Sequence, residues 1–274
     1  MPHSTTRLVS VGPDTLTCTA PWEGSVDSFI DLTQGLIRDE LAHGARQTYF
    51  KRGSYRGIQT RHVGLAFKPG RVLAEVRGVV AHEFWPHYLD RAEKVSRLDL
   101  EVSVKQEPYD HDLALRLWRD EREAATQRGR PSKFKLIAEA AGGTTLYVGT
   151  GASRYQGRLY EAVYKHPGQG MEDTWRYEVQ CRRERAQQMA QLLVDAPDAD
   201  PFVAAAVHRH FSRRGVPPIF TPTTEAVVPP LDESETDRDA SLRWLGQSVR
   251  PALHRHVAWG SYEKALKVLG VDES

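Results

Sequence analysis

TTLYVGTGASRYQGRLYEAVYKHPGQGMEDTWRYEVQCRRER, residues 144–185, decides the fold. In WRYEVQCR, Trp175, Tyr177, Val179 and Cys181 alternate with Arg176, Glu178, Gln180 and Arg182, the period of a strand whose two faces meet different surroundings. In GRLYEAVYK, Arg158 and Tyr160 fall on one face, opposite Leu159, Glu161 and Val163. Two such strands in succession predict an antiparallel pair with one apolar and one charged face.

The pattern recurs upstream. In SRLDLEVSVK, Leu98, Leu100, Val102 and Val104 alternate with Arg97, Asp99, Glu101 and Ser103. RHVGLAF and RVLAEVRGVV read as two further strands separated by Lys68-Pro-Gly70, with Glu75 and Arg77 on the polar side of the second. Helical spacing of Val26, Phe29, Ile30, Leu36, Ile37 and Leu41 predicts a helix closed by Gly44. A charged helix is expected over residues 111–129, a helix over 184–194, and another around His208. Residues 1–24 read as a leading arm holding one short strand, DTLTCTAP. The fold class is therefore α+β: an antiparallel sheet with helices on one face and a polar face left for function.

The expected domain boundaries are 1–214 for the α+β domain and 215–240 for a proline-rich, acidic connector. A helical segment over 241–274, with Leu242, Trp244, Leu245 and Leu253 among its apolar residues, is expected to pack back on the domain. A net charge of +1 over a chain that is 27 % charged means that any basic surface must arise by segregation. Two cysteines, with no apolar run of signal-peptide or membrane-span type, predict a reduced, cytoplasmic protein without a disulfide framework or a membrane partner.

The polar face is lined with Arg, Asp, Glu and Tyr. A phenol ionises near pH 10, so a tyrosine nucleophile needs cationic neighbours. Tyr160 has Arg158 on its own strand face, with Arg176 and Arg182 expected nearby. The same guanidiniums suit bidentate capture of a phosphate. Asp99, Glu101 and Glu178 supply the oxygen donors that Mg²⁺ or Mn²⁺ prefers. Lys51, Arg52, Arg56 and Arg61, interleaved with Tyr49, Phe50 and Tyr55, form a candidate DNA contact. Plainer readings stay open: a packed edge tyrosine, surface ion pairs with Arg97 and Arg176, and a solvated loop. His208-Arg-His210, His254-Arg-His256 and HEFWPH at 82–87 have the wrong spacing or element for a histidine metal motif.

TLYVGTGAS, RLYEAVYK and WRYEVQCRRER, in that order, resemble the replication initiation factor family of rolling-circle plasmids, phages and integrative elements. SRLDLEV, AEVRGVVAHEFW and SLRWLGQSVRPAL extend the resemblance over about residues 14–270. It implies a nickase whose strand tyrosine, here Tyr160, attacks a phosphodiester and leaves a 5′-phosphotyrosine and a free 3′-hydroxyl. It also implies a divalent metal, an origin duplex or hairpin with a single strand at the nick, and a host helicase and polymerase. A homodimer is left open. Two positions depart from the family pattern, Ala162 where lysine is usual and Ser103 where a second acid is expected. An origin-binding or regulatory protein without catalysis, on the same fold, is the alternative.

Overall fold

The strand Lys94–Glu107 (β6) lies at the centre of the protein because its inward residues Leu98, Leu100, Val102 and Val104 are all fully buried. A computed structural model of the chain describes residues 5–21, 27–129, 132–138, 143–149, 154–165, 168 and 170–222. Within them ten strands form a single antiparallel sheet. On one side of β6 runs Thr174–Arg182 (β10), then Tyr155–Glu161 (β9), Thr144–Val148 (β8) and Phe134–Ala138 (β7). On the other side runs Thr5–Pro21 (β1), then Arg71–Arg77 (β5), Val63–Lys68 (β4), Tyr55–Gln59 (β3) and Thr48–Arg52 (β2).

Six helices complete the described chain: Asp27–Ala42 (α1), Val79–Arg91 (α2), Leu113–Gln127 (α3), Ala162–Lys165 (α4), Glu184–Val194 (α5) and Ala199–Ser212 (α6). Alternation in β10 explains where they pack. Tyr177 meets Phe211 of α6 edge-on at 5.2 Å, and Trp175 stacks on Tyr109 at 5.6 Å. Both rings also satisfy their polar atoms: Trp175 Nε1 donates to the Asp110 carbonyl, and the Tyr177 hydroxyl accepts from the Ile219 amide. His210 lies in this same apolar layer, stacked on Tyr155.

Four expectations change. The leading arm is a 17-residue strand at the middle of the sheet. Register shifts at Leu8/Ser10, Pro13/Thr15 and Thr17/Cys18 break its alternation, which hides a strand from periodicity. The strand ending in RGVV stops at Arg77, because Gly78 adopts a left-handed φ of +55° and starts α2. That helix carries HEFWPH with Pro86 inside it. The basic segment at 49–61 is mostly the β2–β3 hairpin, and the strand bearing Tyr160 ends at Glu161, before the short helix holding Tyr164 and Lys165.

The chain divides into two units, Met1–Val228 and Pro229–Ser274. The second unit, His254-Arg-His256 and the expected connector beyond residue 222 lie outside the described residues. Because Leu100 is fully buried on the central strand, Leu100→Ala is expected to cost about 2–5 kcal/mol in urea unfolding. Leu8→Ala, at a position 37 % exposed, is expected to cost less than about 0.5 kcal/mol.

Candidate active site

Cross-strand register brings residues of five strands onto one face. Gly12 of β1, Glu101 of β6, Glu178 of β10, Arg158 of β9 and Tyr147 of β8 follow one another across the sheet. The next row holds Ser10, Ser103, Arg176, Tyr160 and Thr145. On the far side lie Thr15, Asp99, Gln180 and Gln156. Residues directly opposite in an antiparallel sheet share a face, so these side chains form one cluster.

Asp99, Glu101 and Glu178 are at most 1 % exposed. Buried carboxylates are tolerated only when paired, and each is. Asp99 accepts from Arg97 Nε at 3.0 Å, from Gln180 Nε2 at 3.1 Å and from Arg158 Nη2 at 3.4 Å. Arg158 also pairs with Glu178, so one guanidinium bridges the carboxylates of two strands. Glu101 accepts from Ser10 at 2.7 Å, Ser103 at 2.8 Å and His82 Nε2 at 2.9 Å, and lies 3.3 Å from Arg176 Nε. Arg176 reaches on to Asp14 Oδ1 at 2.5 Å. Burial works to raise the Glu101 carboxyl, but His82, Arg176 and Ser10 outweigh it and hold the group below its usual range.

Tyr160 sits inside this lattice, 7 % exposed, and its hydroxyl donates to Glu178 Oε2 at 3.2 Å. Burial dominates its ionisation and pushes the phenol up to about 12, although Arg176 and Arg158 pull the other way. The resting tyrosine is therefore a protonated phenol. Ser103, where an acid was expected, anchors Glu101 instead. Ala162, where lysine was expected, is fully buried just past the strand.

A basic row runs beside the cluster. Thr17 lies opposite both Glu75 and Arg97, and Arg97 lies opposite Arg182. Arg52 and Arg77 both pair with Glu75, the latter through Nε at 2.8 Å. Arg52 comes from β2, three strands from β5, so the hairpin curls over the polar face. Burial, then Arg97 and Arg77, lowers its affinity for a proton, and burial and then Arg97 do the same to Arg77. Of the residues expected to touch DNA, Arg52, Tyr55 and Arg182 lie on this face. Lys51 and Arg56 are opposite one another on the other side of the hairpin, and Arg61 is in the exposed loop after β3.

Three participants were not among the expected site residues: His82, Asp14 and Gln180, the last placed on the polar face without a role. His82 reaches Glu101 because Gly12 has no side chain; a Cβ there would lie 2.7 Å from His82 Nδ1. A glycine inside a strand marks such an approach, and Gly12 was the available signal. Among the described residues no group of three or more His, Cys, Asp or Glu forms a ready metal shell. The donor chemistry nonetheless fits a hard cation: Glu101 and Glu178 are carboxylates directly opposite on adjacent strands. Mg²⁺ commonly takes one or two protein carboxylates and completes its shell with water and phosphate.

The sequence pattern of the replication initiation factor family matches residues 93–256, more than half of the chain. The chain belongs to the replication initiation factor family. Family membership covers β6 through β10 and so includes Asp99, Glu101, Arg158, Tyr160, Arg176 and Glu178. Among solved structures the chain is similar to the rolling circle replication initiator protein from Geobacillus stearothermophilus, with a TM-score of 0.50 and 19 % identity. That likeness covers 76 % of this chain and 85 % of the other, and it shows a shared fold. No curated protein matches. No helix among the described residues is long and apolar enough to cross a membrane.

The family member's phenol can be titrated. The wild-type minus Tyr160→Phe difference in tyrosinate absorbance should be absent at pH 10, where an ordinary phenol is half ionised, and emerge only towards about 12. The sign follows from burial disfavouring the phenolate, and a component appearing below pH 10 would refute it.

Proposed function

We propose that the protein initiates rolling-circle replication or element transfer by nicking one DNA strand with Tyr160. The observation that carries this is the single lattice in which the Tyr160 phenol, two guanidiniums and two carboxylates from adjacent strands are interlocked. In this mechanism the phenol oxygen attacks the phosphorus in line and its proton passes to Glu178, which already accepts it as a hydrogen bond. The bond to the 3′-oxygen breaks, and that oxygen leaves to become the free 3′-hydroxyl once protonated. A 5′-phosphotyrosine remains on Tyr160.

Arg158 and Arg176 would turn from their carboxylates to the phosphoryl oxygens as charge builds there. A divalent cation, Mg²⁺ or Mn²⁺, would be held by Glu178 with Glu101 or Asp99 from β6. When bound it supplies positive charge to the phosphate. With those carboxylates holding the cation, Arg158 and Arg176 would be free to turn to the phosphate. The basic row of Arg52, Arg77, Arg97 and Arg182 gives the strand a path over the curled face, with a backbone contribution that weakens as salt rises. The free 3′-hydroxyl would prime a host polymerase, with a helicase opening the duplex, in the cytoplasm.

The near-complete burial of Tyr160 favours a second reading, origin binding without cutting, on the same fold. One assay separates them. Labelled single-stranded origin DNA incubated with Mn²⁺ should give an SDS-resistant adduct with the wild type and none with Tyr160→Phe, while duplex binding is kept. No adduct with the wild type, despite DNA retention, selects the second reading. An adduct with Tyr160→Phe moves the nucleophile to Tyr147, Tyr155 or Tyr164.

A further inference from the structure

A cavity of about 500 Å³ opens at the β7–β8–β9 end of the sheet, lined in part by Lys133, Lys135, Ile137, Tyr147 and Gln156. Tyr147 lies opposite both Arg158 and Lys135, and Gln156 lies opposite Gln180. The cavity therefore opens on the face that bears Tyr160. Its size is that of a site for one small organic group.

The lining has a specific chemistry. Tyr147 offers a ring for stacking, and Gln156 an amide that both donates and accepts. Lys133 and Lys135 bring two positive charges, and no carboxylate is among the lining residues. An aromatic face, a bifunctional amide and cations for the backbone are what a splayed base of a single strand requires. A peptide side chain would use the cations or the ring, but not all three groups together.

Position sharpens the assignment. Tyr160 is opposite Thr145, two residues from Tyr147 on the same strand face. Such diagonal neighbours are about 7–8 Å apart. A strand whose phosphate meets Tyr160 thus brings an adjoining base to Tyr147. We infer that this cavity holds an unstacked base next to the scissile phosphate, with Tyr147 stacking on it and Gln156 reading its edge. The inference rests on the nicking reading above and adds to it a base-specific pocket.

The test uses full-length Tyr160→Phe protein, which cannot attack, and single-stranded origin DNA in which one abasic position is stepped along the strand. At one position beside the scissile phosphate the missing base should weaken binding roughly five- to hundredfold, the range for stacking one base on a ring. Adding Tyr147→Ala should give a similar loss on intact DNA and no further loss on that abasic strand. Adding Tyr147→Phe should restore affinity, and Gln156→Ala should flatten base preference there alone. Independent, multiplying losses at every position would overturn the inference while leaving nicking intact. So would competition by a free mononucleotide with no abasic effect. Failure to retain any DNA would overturn both.

Discussion

Arg158 bridging Asp99 and Glu178 is the interaction on which the polar face depends. Three carboxylates lie buried on the adjacent strands β6 and β10, a placement that carries a large desolvation cost unless cations neutralise it. Arg97, Arg158 and Arg176 supply that charge from β6, β9 and β10, so the ion pairs tie together the same strands whose opposite faces form the apolar core. Removing one partner of such a pair costs about 3–5 kcal/mol, because the other charge stays buried. Tyr160 is held in place by this same lattice through Glu178. Stability and proposed chemistry therefore draw on one set of contacts.

The lattice also defines what must change for the site to work. At rest the guanidiniums are committed to carboxylates, and burial keeps the phenol protonated. In the proposed mechanism the carboxylates would hold a divalent cation, and the arginines would turn from them to the phosphate. The phosphate offsets part of the cation's charge, so less imbalance is left in a buried place, where imbalance is most expensive, than the cation alone would leave. The net charge of +1 over the chain conceals this local order.

Much of the scaffold was legible because alternation survives wherever a strand is regular. β6 and β10 have unbroken period-two patterns, and their register places Asp99, Glu101, Arg176 and Glu178 where the pattern puts them. β1 was legible only over Asp14–Pro21, since bulges at three points shift its faces and Gly12-Pro13 resembles a turn. His82 was hidden for a different reason. Its role depends on the end of β5, the turn at Gly78 and the empty place at Gly12, none of which is a local motif. Lys51 and Arg56 show the converse limit: composition marks a basic segment, while hairpin pairing decides which side of it faces the site. The partners of each buried charge were also beyond composition, because surface pairing and active-site pairing use the same residue types.

The most direct measurement is proteolysis of the DNA-linked protein followed by fragmentation of the linked peptide. Cleavage after Arg158 and Lys165 yields LYEAVYK, which holds Tyr160 and Tyr164. The nucleotide mass is expected on Tyr160. A nucleotide on Tyr164, or on any peptide outside 159–165, would contradict it.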